Sequence, residues 1–408
     1  MNKIYIAYLN TFTFSCIQMV LYTTIPYIAE ETGVVTSNII AAIGVGSFIF
    51  SFMGPFWATK SDRLGRKRVL SFGMFGMALS FMLLASIFIF NESLSLTMKI
   101  TFVYLSRILY GLLCSAIVPV SQAWQLDHFD SNDHLKILTR NSMCLNLGRI
   151  TGPILILFQQ VNFELVIYVA TIWVLILSAF VFLMSFSRET AKSQGHVEYK
   201  MKDVFAKWKI SINESFSPIL LALIFTSFVG VLHSFLGHHI KNVLSFNGQE
   251  ATMMFAKIIL VLSIAVVFIQ QLSIFLFKSR WRPRVALGSL SIVIGTYIMM
   301  SASTELMIWV SIFFVCIATA LIPPAYLSLT SKSQENTDKT NVFGKKLGLS
   351  SFAHSLGYAL GAGLIAISMK MNIIPESAVV FFISFSIFSL SLHMLFSKKV
   401  CKNVQSYS

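Results

Sequence analysis

Gly54-Pro-Phe-Trp-Ala-Thr-Lys-Ser-Asp-Arg-Leu-Gly-Arg-Lys-Arg-Val-Leu70 is a short basic stretch with a long apolar stretch on either side. Lys60, Arg63, Arg66, Lys67 and Arg68 stand there against a single acid, Asp62. A turn this basic, caught between hydrophobic spans, marks the cytoplasmic side of a membrane protein. Gly65 permits a tight reversal. An acid suits the N-terminus of the helix expected to start near Val69, and Asp62-Arg63 can pair with neighbouring helix ends. Arg66, Lys67 and Arg68 are then expected to face anionic headgroups. A plain positive-inside turn is the competing reading, but the Asp-Arg-x-Gly-Arg-Lys order is more specific than basic composition requires.

The whole chain fits that setting. Its 408 residues are 56% hydrophobic and 12% charged, with 37 Phe. Ordinary soluble domains carry about 25% charged residues, and a soluble chain has no way to hide this much apolar surface. The net charge of +14 raises nucleic-acid binding, which the charge distribution excludes. The basic residues lie in short turns between apolar spans and not on one solvated face. Cys16, Cys114, Cys144, Cys316 and Cys401 show no ligand spacing, and four of them fall in apolar spans. Neither a disulfide framework nor a zinc site is expected. There is no G-x-x-x-x-G-K-[ST] motif for ATP, no cofactor is expected, and no nucleophile–base or metal constellation suggests an enzyme. The span within Met1 to Glu30 lacks a basic n-region and a clear cleavage site, so it reads as a retained first helix.

Spans long enough to cross a bilayer fall near 4–28, 37–58, 69–90, 98–122, 137–160 and 163–186, and resume near 216–236, 250–277, 285–302, 305–330, 345–368 and 375–396. With both termini inside, 25 of the 31 Lys and Arg lie on the cytoplasmic side and 4 outside, as the positive-inside rule demands. The halves also repeat. Ala116-Ile-Val-Pro119 in span four matches Ala320-Leu-Ile-Pro323 in span ten, an offset of 204. Leu147-Gly148-x-x-x-Gly152 in span five matches Leu356-Gly357-x-x-x-Gly361 in span eleven, an offset of 209. The expected fold is an all-α membrane protein of twelve transmembrane helices in two six-helix pseudo-repeats. Residues 1–186 form the first bundle. Residues 187–215 form a cytoplasmic linker with a short surface helix near Met201–Ile210, and 216–408 form the second bundle with a short cytoplasmic tail. Parallel repeats with a midplane solute site are a secondary-transporter pattern.

Several residues are candidates for carrying the chemistry. Arg107 is a permanent cation inside span four, at a cost of about 2.5–3.5 kcal/mol on insertion scales. It must face a polar cavity or a partner, or snorkel to an interface. Arg149 adds a second cation to span five, or bonds helix-end carbonyls. No Asp or Glu lies in the interior of any span. Two buried arginines without acids imply an electropositive cavity, and an anionic solute such as a carboxylate fits it. His233 and His354 are candidates for carrying a coupling proton, or are hydrogen-bonded packing residues. Gln18 and Gln122 are candidates for lining the cavity. Gly148 with Gly152, and Gly357 with Gly361, allow close helix contact, and Pro153 kinks its helix or frees a carbonyl.

The basic loop resembles the one between helices 2 and 3 of the major facilitator superfamily, G-x-L-a-D-R-x-G-R-K/R. Asp62, Arg63, Gly65, Arg66 and Lys67 match; Ala58 replaces the family's glycine and Lys60 an apolar residue. In that family the loop is thought to gate the cytoplasmic side. Arg107-x-x-x-Gly111 resembles the fourth-helix motif of the proton-coupled branch, linked there to proton transfer. Gly148-x-x-x-Gly152-Pro153 looks like the fifth-helix motif of the antiporter branch, associated with export, although Leu155, Ile156 and Leu157 stand where a Gly-Gly pair follows in the family. The resemblance implies the major facilitator fold and proton antiport by two rocking bundles, most like the drug/proton antiporter branch. The partners it implies are a small-molecule solute, protons as coupling ion and the lipid bilayer, without nucleic acid. The chain would work as a monomer, multi-pass in a bacterial inner (plasma) membrane. Within the family, export of a carboxylate siderophore suits a paired-arginine cavity. General multidrug efflux is the rival solute class, and a non-transporting membrane receptor or sensor the rival function.

Overall fold

The computed structural model describes residues 4–127, 134–158, 163–185, 201–277, 280–332, 339–372 and 375–396. All regular elements among these residues are helices. They run α1 (Ile4–Thr23), α2 (Ile25–Thr32), α3 (Thr36–Leu64), α4 (Arg66–Ile89), α5 (Leu96–Leu113), α6 (Ile117–Leu126), α7 (His134–Phe158) and α8 (Phe163–Ser185). Then follow α9 (Met201–Leu244), α10 (Gly248–Phe277), α11 (Trp281–Met300), α12 (Glu305–Lys332), α13 (Lys339–Met371) and α14 (Glu376–Phe396). Counting α1 with α2 and α5 with α6, the fourteen helices give the twelve expected segments. Ten are long and apolar enough to cross a membrane, or eleven with the bent α1–α2 pair. The polar α7 is the segment that falls short. Residues 187–200 of the expected linker lie outside the described residues. The short helix expected near Met201–Ile210 is not separate: it begins the single 44-residue α9.

Local chemistry explains the breaks. Pro26 near the start of α2 lacks an N–H, and the Thr23 and Thr24 hydroxyls donate back to the carbonyls of Met19, Val20 and Leu21. The chain bends there by 54°, as expected where proline and hydroxyls disturb the helical ladder. Between α5 and α6, Cys114–Ala116 tighten into a 3-10 turn. Pro119 follows within one turn, and its ring disfavours the α-helical carbonyl four residues back. At Gly65 the backbone takes φ 91°, which a side chain would resist. The chain therefore reverses in one residue and α4 starts at Arg66, not near Val69.

The chain divides into two compact units. One comprises residues 1–199 with 246–260, the other 200–245 with 261–408. Within the first, Gly248 N at the head of α10 donates to Glu30 Oε2 at 2.8 Å. Also within the first unit, α1 and α7 lie parallel. Thr11 Oγ1 donates to Asn141 Oδ1 at 3.0 Å and Ser15 Oγ to the Leu145 carbonyl at 2.7 Å. Further along, Gly148 meets the backbone of Phe12 and Cys16, and Gly152 that of Cys16 and Val20. In the second unit α9 and α13 repeat this. Gly357 meets the backbone of Leu223 and Ser227, and Gly361 that of Ser227 and Val231. The partners are 211 apart each time: 12 and 223, 16 and 227, 20 and 231. Such contact requires glycine, because backbones approach closely enough for packing only without a Cβ.

Candidate functional site

The basic stretch builds a cluster of charges at one end of the first unit. Arg66 opens α4 and pairs with Asp62 one turn back, Nη2 to Oδ1 at 2.6 Å. Its Nε donates to Oδ2 of Asp127, just past the end of α6, at 2.8 Å. Its Nη1 donates to Ser61 Oγ at 2.5 Å. One guanidinium fork thus ties the end of α3, the start of α4 and the end of α6. The expectation that Arg66, Lys67 and Arg68 all face headgroups is corrected. Because the helix starts directly after Gly65, successive residues turn by about 100° onto different faces. Arg66 engages the two acids, Lys67 is buried, and Arg68 is exposed; Arg63 is exposed as well. In the sequence nothing marks Asp127 beyond its place at the end of an apolar span.

Arg107 lies on α5 and is 3% exposed. Its Nε donates to Ser106 Oγ at 3.1 Å and its Nη2 to Ser80 Oγ of α4 at 2.8 Å. Its guanidinium carbon lies 5.8 Å from the Phe81 ring and 5.2 Å from that of Tyr110. These partners satisfy donors and polarise toward the cation. None brings a negative charge, and no carboxylate among the described residues reaches the guanidinium. Gly111, one turn on, has a different task. A Cβ there would press on the Gly46 carbonyl and lie 2.8 Å from Ile49 Cβ of α3, while one at Gly46 would lie 2.5 Å from the Arg107 carbonyl. The glycine of R-x-x-x-G lets α3 and α5 cross, and the arginine turns away toward α4.

On α7, Gly148, Gly152 and Pro153 are buried, the glycines against α1. Arg149 is exposed, with no partner beside it among the described residues, so the expectation of a second buried arginine is corrected. The reason is geometric: with Gly148 turned onto α1, the next residue points about 100° away. The helix runs unbroken through Pro153. Gln18 and Gln122 are half-buried. Gln125, one turn after Ser121, is fully buried and its Nε2 donates to Asn141 Oδ1 at 3.2 Å. Asn141 therefore joins α1, α6 and α7, a role its sequence setting did not disclose.

The second unit holds both candidate histidines. His354 on α13 is half-buried, and its Nε2 is 2.8 Å from the hydroxyl of Tyr326 on α12. Their rings meet edge to face at 5.6 Å and 76°, and Phe225 of α9 lies 6.3 Å from the Tyr326 ring. His233 on α9 stacks on Tyr358 of α13, with centroids 6.0 Å apart and planes 17° apart. Tyr326 is 1% exposed, and no sequence signal set it apart from other span tyrosines.

Solved structures of similar fold include several transport proteins. The D-xylose-proton symporter superposes with a TM-score of 0.71 at 14% identity, over 97% of this chain and 98% of that one. The nucleoside transporter NupG gives 0.68 at 13%, over 98% and 100%. The human organic anion transporter MFSD10 (TETRAN) gives 0.62 at 14%, over 95% and 98%. At these identities the likeness is one of fold. No curated protein sequence matches the chain. The model of the Major Facilitator Superfamily matches residues 7–362, nearly the whole run of helices described above, and the chain belongs to that superfamily.

Proposed function

We propose that this transporter exports a small organic anion by proton antiport with alternating access, and that the anion is a polycarboxylate of the citrate-siderophore kind. The observation that carries the reading is Arg107. It is buried with hydroxyls and aromatic rings around it and, among the described residues, without a carboxylate. Hydroxyl partners spare its N–H groups but leave its positive charge, which in a low-dielectric setting favours an anion nearby. Arg149, exposed on α7, adds to the same sign of field. Export is supported by the likeness of Gly148-x-x-x-Gly152-Pro153 to the antiporter-branch motif. Similarity to a sugar–proton symporter and an organic anion transporter supports solute transport as a class.

The test measures export of a labelled citrate-type polycarboxylate and of a lipophilic cation from the same cells. Loss of a buried, hydrogen-bonded charge costs a few kcal/mol, so Arg107→Gln is expected to lower anion export by about tenfold or more. Arg107→Lys keeps the charge but loses the fork, and is expected to retain part of the activity. Arg149→Gln, at an exposed position, is expected to lower export by about two- to threefold. Robust cation efflux by the wild type, indifferent to both Gln substitutions, would sink the anion reading in favour of multidrug efflux.

A further inference from the structure

Proton antiport needs a group that takes up and releases a proton within the transport cycle. The described residues offer no Asp or Glu inside an apolar span: the acids there lie at or near helix ends, in turns or, for Glu214, just before the apolar part of α9. Arginine does not deprotonate in proteins. Imidazole is the remaining side chain whose charge changes across the physiological range. The two candidates differ in what the fold has built around them. His233 lies against the face of Tyr358, with ring centroids 6.0 Å apart. His354 has its Nε2 2.8 Å from the hydroxyl of a tyrosine that is 1% exposed, with the Phe225 ring 6.3 Å from that tyrosine's own.

That pairing suits a group that changes protonation state. A phenol both donates and accepts. It donates to Nε2 of the neutral ring, and after rotation about its own C–O bond it accepts from Nε2–H of the imidazolium. The heavy atoms keep one arrangement in both states. A backbone carbonyl would serve only the charged or N–H form, and a lysine only the neutral one. His354 is half-buried; a proton taken up from water forms the ring N–H bond as one water O–H bond is given up.

We infer that His354 takes up the coupling proton and that Tyr326 positions its ring for both states; the inference rests on the proton-antiport reading above. From α12 it is Tyr326 that faces the ring. From α9 comes His233, reached through Tyr358 one turn along α13. From α14 come Glu376 and His393, at or near its two ends, and α13 itself carries Lys370 in its last turn. Lys345 and Lys346 precede His354 on α13 by about two turns, and their side chains lie outside the described residues.

Two measurements test this. In the full chain in nanodiscs, with histidine labelled by nitrogen-15, the signals lost in His354→Gln identify the ring. In the wild type those signals are expected to titrate between about pH 5 and 8, and in Tyr326→Phe their Nε2 resonance and their midpoint are expected to move, because the hydroxyl is gone and the ring remains. A ring that stays neutral throughout, or is indifferent to Tyr326→Phe, overturns the inference. In everted membrane vesicles, labelled citrate is the probe and an imposed proton gradient the drive. The wild type is expected to be stimulated, His354→Gln to lose the stimulation, and His233→Gln to keep it. A stimulated His354→Gln overturns the inference alone. A wild type that moves citrate without responding to the gradient overturns proton antiport itself, and the inference with it.

Discussion

Arg66 stands where a helix disfavours it. It is the first residue of α4, and a helix N-terminus carries partial positive charge. Asp62 and Asp127 offset this from either side, with side chains 52% and 48% exposed while that of Arg66 is 17% exposed. Pairs this open contribute about 0–1 kcal/mol each to stability, so their value is as a movable link between three helix ends. Asp62→Asn is therefore expected to cripple transport at near-normal membrane abundance and melting temperature. Asp127→Asn should do likewise, and the Asp62→Asn/Asp127→Asn double variant should fall to the level of Arg66→Gln, since both acids act through one guanidinium. Export rates of the four variants check this; full additivity of the two acids with Arg66→Gln would mean that they act elsewhere. The sequence motif marks Asp62 and Arg66 because they are neighbours. It is silent on Asp127, whose partner lies 61 positions away and whose helix-end setting is shared by many acids.

Elements in each unit are held by glycines against backbone. A Cβ at Gly152 would come within 2.7 Å of the Cys16 carbonyl oxygen and 2.8 Å of Met19 Cβ. One at Gly361 would press on the Ser227 carbonyl and lie 2.8 Å from Val231 N. Neither neighbour can swing aside, because backbone is fixed by its own helix, so helix pairs must separate. Gly361→Ala and Gly152→Ala are each expected to cost about 1–3 kcal/mol, read as a lower melting temperature in detergent. Gly363 is the control: nothing lies within 4 Å of a Cβ there, and Gly363→Ala is expected to be neutral or to stabilise by up to about 1 kcal/mol. Equal melting of all three would mean that the close crossings are not required. The glycine half of this repeat is legible in the sequence as Leu-Gly-x-x-x-Gly at an offset of 209. The receiving half is not. Phe12, Cys16 and Val20 correspond to Leu223, Ser227 and Val231, and because backbone atoms meet the glycines, the side chains there were free to differ. The same holds for Arg149: that it shares a helix with Gly148 was readable, but its exposure depended on which face those glycines turn to α1.

Across the whole molecule, the parity of the crossings decides where the termini lie. Ten helices, or eleven with the bent pair, are apolar enough to cross a membrane, and an odd number of crossings would put the two termini on opposite sides. The segment that decides parity is α7, which carries Lys136, Arg140, Asn141, Asn146 and Arg149. Hydropathy alone would leave it out. Packing argues otherwise. From Asn141 to Gly152 it lies parallel to α1 between Thr11 and Val20, about 17 Å at 1.5 Å per residue, so if α1 crosses, α7 crosses in the same sense. Its polar groups are partly met inside the unit, where Asn141 accepts from Thr11 and Gln125. Charge agrees. Were α7 to stay on one side, the basic stretches of 187–215, 278–284 and 332–346 would all move outside, against the strong preference of Lys and Arg in short loops for the cytoplasm. We therefore expect twelve crossings, with both termini cytoplasmic. Fusions made within 128–133, within 159–162 and at the chain end should report this, using a fluorescent protein that matures inside and a phosphatase that is active outside. The first and last are expected to fluoresce and the middle one to show phosphatase activity. The same side reported on both flanks of α7 would leave eleven crossings and remove the positive-inside account of the second half.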